Sequence, residues 1–597
     1  MKAKIVKTDN SLTIEVNGKR VETAAYMTYL EENARYADFQ TAGYDLFCAC
    51  VYMGDGSINE NSGVHTFGEH VWKSRENYDF TPVYNSIKKI VGEGAKKAYV
   101  MLRVNLNAPR WWRAENPNEL VVLSDGVKGQ YMQSAFSEKW KADAKIFLKK
   151  LCEYIKTFEF SENVIAIQVA GMQTEEWLAL RNATGSFDYS LPAQKAYQKY
   201  IENKYKNAFK AYMPTSFELA ARHGDKVIDE GKYRNLLDYE QFFNEGFART
   251  IQELCAYVKE LTNEDMLVGV FYGYFGQLSC EYGHSGVSLL LHDKNIDFFA
   301  SPFAYIDGRK TAKDWIYHGV MDSCARANKL WFMEADIRTH KTLPLYETNP
   351  ELMEGERTVN YFKNPVFMGL PTEKETLWVL LRTFGKVLAA GYAFWWFDMW
   401  GGWYDTPAVM QFMTHANELY RNYNGKTKKE NELAVIMDEK ASYGISEEYY
   451  DELSRLQLVE LGFVGVSYDM YHSCDEEWAK THYKTLLYIA PTKYGVKGNL
   501  LLSNSEKIEK NGLFSAAEIA AILRKADTHV FSEGNIVYAN SRFVCLTAAK
   551  QGKVQLSMPT ACKIRAFTDG KEYEGTEFVF DMEENQTELF EIEEYFR

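Results

Sequence analysis

The stretch LWFMEADIR, residues 330–338, sets an unbroken apolar run, Leu330 to Met333, directly against a carboxylate, Glu334. No polar residue alternates within the run, so it reads as a strand buried on both faces, the kind that parallel sheets contain. Seven more runs share this character: Ala24 to Thr28, Leu46 to Val51, Ala98 to Val104, Val164 to Ala170, Leu267 to Tyr272, Phe298 to Ser301 and Ala393 to Phe397. Between them lie segments such as Glu138 to Phe158 and Tyr239 to Leu261, whose apolar residues recur at helical spacing. Strands and helices alternating in this way predict an α/β fold, a closed (β/α)8 TIM barrel. An open doubly wound sheet is the competitor. It calls for a nucleotide fingerprint, and neither GxGxxG nor GxxxxGK[ST] follows any of the runs.

The barrel does not use the whole chain of 597 residues, whose 46% hydrophobic and 25% charged content is that of an ordinary globular protein with room for several domains. The pattern breaks at Tyr420 to Asn431, where RNYNGKTKKEN carries no apolar periodicity and reads as a linker. Residues 1–425 are therefore expected to form the barrel with a short N-terminal β segment. Residues 431–528 read as a small α/β unit, with strands at Leu433 to Met437, Phe463 to Tyr468 and Thr485 to Ala490 and helices at Glu447 to Leu461 and Ala516 to Arg524. From 529 to 597 strand follows strand, with turns at Ser532-Glu533-Gly534, Gln551-Gly552 and Asp569-Gly570, which predicts an antiparallel β domain.

The formal charge of -14 repels polyphosphate and anionic lipid, so neither nucleic acid nor a membrane is expected as a partner. The opening MKAKIVKTDN leads into no apolar targeting segment and no run of about 18 apolar residues occurs, which places the expectation in the cytoplasm. The nine Cys are scattered without zinc spacing, so no disulfide framework, metal or cofactor is expected.

In such a barrel the chemistry lies at the C-terminal strand ends. The fourth run leads into Gly171-Met172-Gln173-Thr174-Glu175-Glu176-Trp177, the seventh into Glu334, Asp336 and Arg338, and the eighth into Trp395-Trp396-Phe397-Asp398-Met399-Trp400-Gly401-Gly402-Trp403. A carboxylate directly after a buried strand is costly to desolvate unless it is paired, metal-bound or used. An ion pair of Glu334 with Arg338 or another basic group at the barrel rim is the plain structural explanation. Carboxyl groups delivered by two different strands also meet the needs of glycoside hydrolysis, one as nucleophile and one as proton donor. Aromatic residues make up 15% of the chain, and four of the 13 Trp fall between Trp395 and Trp403, with Trp111 and Trp112 after the third run. Indole faces stack on sugar rings, although some of these residues are expected simply to cap the barrel.

Tyr78-Asp79-Phe80, Val83 to Ile90, Gly94, Ala108-Pro109-Arg110-Trp111-Trp112 and Asn116-Pro117, with the Glu of the seventh run and the Trp-rich eighth, resemble the progression in clan A glycoside hydrolases. The sequence is most similar to family 42, the bacterial β-galactosidases, in motif order and in the succession of barrel, α/β unit and β domain. The resemblance implies a retaining, exo-acting β-glycosidase acting on a β-linked oligosaccharide or glycoside, with Glu334 as nucleophile and Glu176 as acid and base. It implies substrate contacts from Arg103, Glu175, Trp177, Tyr272, Asp336, Arg338, Trp396, Asp398 and Trp400. One departure stands out: the family places an Asn immediately before the acid, whereas here Thr174-Glu175-Glu176 offers two candidates. Glu176, followed by an aromatic residue, is the first choice, Glu175 then taking the place of the Asn; Glu175 is the reserve. The family's α/β unit resembles class I amidotransferases, but Cys474 in Tyr471-His472-Ser473-Cys474-Asp475 lacks the glycines of a nucleophile turn. That unit is expected to present a face for self-association, making the protein a homo-oligomer. The rivals are a β-mannosidase or α-L-arabinopyranosidase activity, and a non-catalytic sugar-binding barrel.

Overall fold

The computed structural model describes residues 1–597 except 93–97, 207–209, 225, 307–308, 310–312, 492–497, 505 and 596–597. Gly94 of the progression quoted above lies outside the described residues. Every apolar run forms a strand: β1 (Ala24–Met27), β2 (Leu46–Tyr52), β3 (Tyr99–Asn105), β4 (Val164–Ala170), β5 (Leu267–Phe271), β6 (Phe298–Pro302), β7 (Leu330–Ala335) and β8 (Ala393–Phe397). They pair in parallel and in sequence order, and β8 closes on β1 to complete the barrel.

Alternation along the strands separates two apolar layers. Tyr99, Met101, Ile165, Leu267, Phe298, Leu330, Phe332, Ala393 and Trp395 fill the interior. Their neighbours Val100, Leu102, Trp331, Met333, Phe394 and Trp396 face outward into the helical shell. That shell includes Glu138–Thr157, capped by Ser137, Arg234–Leu261, and Glu373–Ala390, capped by Thr372. At the N-terminal end of the barrel a three-stranded antiparallel sheet, Ala3–Lys7, Leu12–Val16 and Lys19–Val21, inserts Leu12, Ile14 and Val16 among the first residues of the strands. The barrel is stoppered there, which leaves the C-terminal mouth for chemistry.

The connecting segment is shorter than the sequence implies. The helix Pro407–Tyr423 takes up its first residues, because Tyr420 is buried and its hydroxyl is shared with Thr23 at 2.8 Å and donated to the Tyr392 carbonyl. Beyond it, a five-stranded sheet has the order Asp469–His472, Leu433–Met437, Thr485–Tyr488, Asn499–Ser503, Lys507–Lys510, parallel in its first three strands and antiparallel in the rest. The strand expected at Phe463 to Tyr468 begins instead at Asp469. Gly465 turns through φ +80°, and Phe463 and Gly465 give their carbonyls to Gly534 and Phe531, not to a sheet neighbour. The last unit is an antiparallel sheet of Ile536–Ala539, Phe543–Thr547, Gly552–Ala566, Glu572–Met582 and Thr587–Tyr595. Among the described residues no helix is long and apolar enough to cross a membrane.

Candidate active site

Strand parity decides which side chains enter the mouth. On β3 the inward series Tyr99, Met101 ends at Arg103; on β7 Leu330, Phe332 leads to Glu334; on β8 Ala393 leads to Trp395. These three meet. Arg103 Nη2 donates to Glu334 Oε2 at 2.8 Å, and Trp395 Nε1 donates to the same oxygen at 3.1 Å. The other arm, Arg103 Nη1, donates to the Tyr29 hydroxyl at 2.9 Å and lies 3.6 Å from Glu175 Oε2. Tyr29 in turn donates to Glu175 Oε2 at 3.1 Å, and Asn105 Nδ2 to Glu175 Oε1 at 3.3 Å. The guanidinium is sheltered by Phe271, 4.5 Å to the ring centroid, and by Trp395 at 5.5 Å. Arg103, Glu175 and Glu334 are 1%, 0% and 3% exposed, so their charges must be balanced within the cluster. Burial pushes the Glu334 carboxyl up, opposed by the Arg103 charge and the Arg103 and Trp395 hydrogen bonds. Glu175 is likewise raised by burial and pulled back by Arg103, Asn105 and Tyr29.

Glu176 differs. Its side chain is partly exposed, and it accepts from Thr174 Oγ1 at 2.7 Å and from the Tyr274 hydroxyl at 3.3 Å. Its desolvated position and the charge of Glu334 push its pKa up to about 8. A carboxyl that keeps its proton at neutral pH, beside one held by a guanidinium, is the pairing that acid-assisted displacement at an acetal carbon requires.

The loop after β4 is wound tightly to deliver these two glutamates. Met172, Thr174, Glu175 and Trp177 all have φ between +55° and +66°. Each left-handed non-glycine residue costs roughly 1–2 kcal/mol, so the surroundings must hold the loop. Asn107 bonds Met172 on both sides, its Nδ2 donating to the carbonyl at 3.0 Å and its Oδ1 accepting from the amide at 2.8 Å. Thr174 N donates to the Ile58 carbonyl, Gln173 Oε1 accepts from Glu60 N, and Trp177 N returns to the Gly171 carbonyl.

Several sequence expectations are corrected. Trp177 is fully buried, donates to the Val169 carbonyl and packs near Trp140, so it anchors the loop instead of lining the mouth. Trp396 points out of the barrel to Tyr44, because parity puts Trp395 inside. Tyr272 also faces outward and bonds the Gly283 carbonyl; Tyr274 is the tyrosine that reaches Glu176. Asp398 is buried and accepts from Tyr26 and from the amides of Gly402 and Trp403, fixing a turn that Gly401 and Gly402 make at positive φ. Arg338 pairs with Asp336, not with Glu334. Asp336 also pairs with Arg309 at 2.9 Å and accepts from Tyr305, and these cations hold its carboxyl below the usual range. Trp400 lies near this pair, 5.7 Å from the Arg338 guanidinium. Trp112 is buried on Asp143, and Trp111 is partly buried against Trp72. Tyr29, Asn105 and Tyr274 were not singled out in the sequence, and of the Trp pair on the eighth run the sequence reading chose Trp396 where the structure turns Trp395 inward.

Two other features lie away from the mouth. Asp438, Glu439 and His472 stand close enough to share a cation, but both His472 nitrogens are engaged, Nε2 with Glu439 and Nδ1 as acceptor of the Cys474 amide. With Nδ1 accepting, the ring proton sits on Nε2 and faces the Glu439 carboxylate, so the histidine is already satisfied internally. A cleft of about 1350 Å³ lies at the opposite end of the barrel, where Leu330 and Ala393 begin their strands and the chain passes to the second unit through Lys428–Glu432. It is a junction between units, and its half-buried Lys429 is already paired with Asp322 and Asp469.

No protein-family profile matches the chain, and no curated protein matches it by sequence. Solved structures do match. A β-galactosidase from the haloarchaeon Halorubrum lacusprofundi is 11% identical with a TM-score of 0.60, over 95% of this chain and 99% of that one. A catalytic mutant of a GH42 β-galactosidase from G. stearothermophilus is 11% identical with a TM-score of 0.57, over 96% and 98%. A GH42 exo-carrageenase from Bacteroides ovatus is 13% identical with a TM-score of 0.56, over 99% and 84%. The chain is thus similar in fold, across nearly its whole length, to β-galactosidases and other enzymes of glycoside hydrolase family 42.

Proposed function

We propose that the chain is a retaining, exo-acting β-glycosidase, with a β-galactoside as the leading substrate and residues 1–425 carrying the chemistry. Glu334 is the nucleophile. Its oxygen attacks the anomeric carbon while Glu176 gives its proton to the departing oxygen; Glu176 then takes a proton from water as the water displaces Glu334 from the glycosyl ester. The observation that carries this reading is the contrast between the two carboxyls: Glu334 is bonded to Arg103 and Trp395, and Glu176, partly open, holds a proton up to about pH 8. Esterification of Glu334 removes the charge that helps raise Glu176, which converts the acid into a base when one is needed. Glu175, Tyr29 and Asn105 form the polar wall beside Arg103, placed to receive sugar hydroxyls.

Exo action is supported by the segment after β7. It crosses the mouth: Leu343 accepts from Trp400 Nε1, Met353 bridges to Val64, Arg357 donates to the Glu60 carbonyl, and Tyr131 bonds Glu354. A segment joined to the far rim obstructs a polymer lying across the barrel and favours approach by a chain end. Solved enzymes with this fold include a β-galactosidase, an exo-carrageenase and an α-L-fucosidase, so the sugar is the quantity to measure. Turnover of a panel of p-nitrophenyl glycosides tests the proposal. A β-galactoside hydrolysed by the wild type and untouched by Glu334→Gln is expected; sugar binding without hydrolysis of any member would favour the binding barrel.

A further inference from the structure

Outside the two glutamates, a buried histidine joins the loops that carry the acid and its tyrosine. His284 is 0% exposed. Its Nδ1 accepts the Tyr274 backbone amide at 3.2 Å, so the ring proton sits on Nε2, which donates to the main-chain carbonyl of Glu176 at 2.9 Å. The same Tyr274 sends its hydroxyl to the Glu176 carboxyl. One imidazole therefore fixes the backbone of the acid and the backbone of the acid's hydrogen-bond donor. The ring itself has little freedom: it stacks on Tyr272 at 4.7 Å and lies against Tyr274 at 4.5 Å. On either side of it, the Gly283 carbonyl accepts from Tyr272 and the Ser285 amide donates to Asn244. Burial keeps the ring neutral, its pKa pushed down to about 3, so the donor and acceptor roles do not exchange over the working pH range.

Glu175 and Trp177, the neighbours of Glu176, are both left-handed, so the peptide planes around the acid are held against their intrinsic preference. We propose that His284 is a positioning residue, acting through the Glu176 carbonyl and the Tyr274 amide to aim the Glu176 carboxyl at the leaving-group oxygen. This rests on the assignment of Glu176 as the acid. Without the Nε2 donor the Glu176 carbonyl loses its partner in a buried site, and the strained loop has a reason to turn it toward solvent. The carboxyl would move with it, away from its two hydrogen-bond donors, Thr174 on the same loop and Tyr274 on the next.

The test compares His284→Phe, which keeps a planar ring without the donor, with His284→Gln, whose amide can donate again, in the full chain. The substrates are a p-nitrophenyl and a 2,4-dinitrophenyl β-glycoside of the sugar that the wild type prefers. In His284→Phe, kcat/KM for the p-nitrophenyl substrate, which reports the first step, is expected to fall by roughly 100-fold. The kcat/KM of the dinitrophenyl substrate, whose leaving group needs no proton, should fall far less. His284→Gln should recover most of the loss. Equal losses on both leaving groups, or none, would overturn the inference. Should His284→Phe not fold, His284→Asn, whose amide falls short of the carbonyl, carries the same comparison against His284→Gln. If the wild type cleaves no glycoside, it is the proposed function that fails. The Glu176 carboxyl titration, followed by 13C NMR, then decides about His284: a fall toward the ordinary carboxyl range in the variant supports the positioning role, and an unchanged titration rejects it.

Discussion

Arg103 and Glu334, on strands separated by half the barrel, are joined at 2.8 Å, and the opposite arm of the same guanidinium lies 3.6 Å from Glu175. One cation thus offsets two carboxylates inside an apolar shell. Arg103→Met should leave both uncompensated, with a loss of about 3–5 kcal/mol in unfolding free energy and of roughly 100-fold or more in kcat. Urea unfolding and steady-state kinetics check this, and Arg103→Lys should recover part of the stability while lacking the two-armed contact.

Glu175 and Glu176 are adjacent in the chain but separable in chemistry. Glu176→Ala should lose activity on poor leaving groups and regain turnover with azide, giving the β-glycosyl azide, because the nucleophilic half-reaction is intact. Glu175→Ala should raise KM and show no azide rescue. Product NMR distinguishes them.

Activity should fall as pH rises through about 8, where Glu176 loses the proton it must donate, and Glu176→Gln should abolish that limb along with most of the rate. Asp398, with its pKa pushed up to about 7 by burial, gives a stability signature. Because the folded state holds this proton more tightly than the unfolded chain, the stabilisation is fully present below the ordinary Asp value of about 3.9 and is lost as pH rises toward about 7. Melting temperature should decline across that window, less steeply in Asp398→Asn, and KM should be unaffected by that change.

Trp395 and Trp396 sit side by side in the sequence and on opposite faces of β8. Trp395→Phe should lower kcat by removing the 3.1 Å bond to Glu334, and should lower the melting temperature as well through the cavity it leaves in the barrel interior. Trp396→Phe should lower the melting temperature through its lost bond to Tyr44 and leave kcat alone.

The barrel was legible because a strand covered on both faces needs an unbroken apolar run, and eight such runs are visible without any partner information. Glu334 was legible for the complementary reason, a charge set at the end of one of them. Parity within a run has no such signal when both faces are apolar: AFWWF at Ala393 to Phe397 does not say which Trp faces in. Tyr29 and Tyr274 come from loops after β1 and β5, and their role arises only when barrel closure brings them beside Glu175 and Glu176. The left-handed turns of Met172 to Trp177 were hidden as well, since no glycine marks them and distant residues such as Asn107 and Ile58 hold them in place.

In a double displacement the sugar becomes attached to the Glu334 carboxylate between the two steps. Incubation with a 2,4-dinitrophenyl 2-deoxy-2-fluoro-β-glycoside, followed by peptide mass spectrometry, should find one fluorosugar on Glu334, released slowly with recovery of activity. A label on Glu175 or Glu176, or inactivation without any attached sugar, would contradict it.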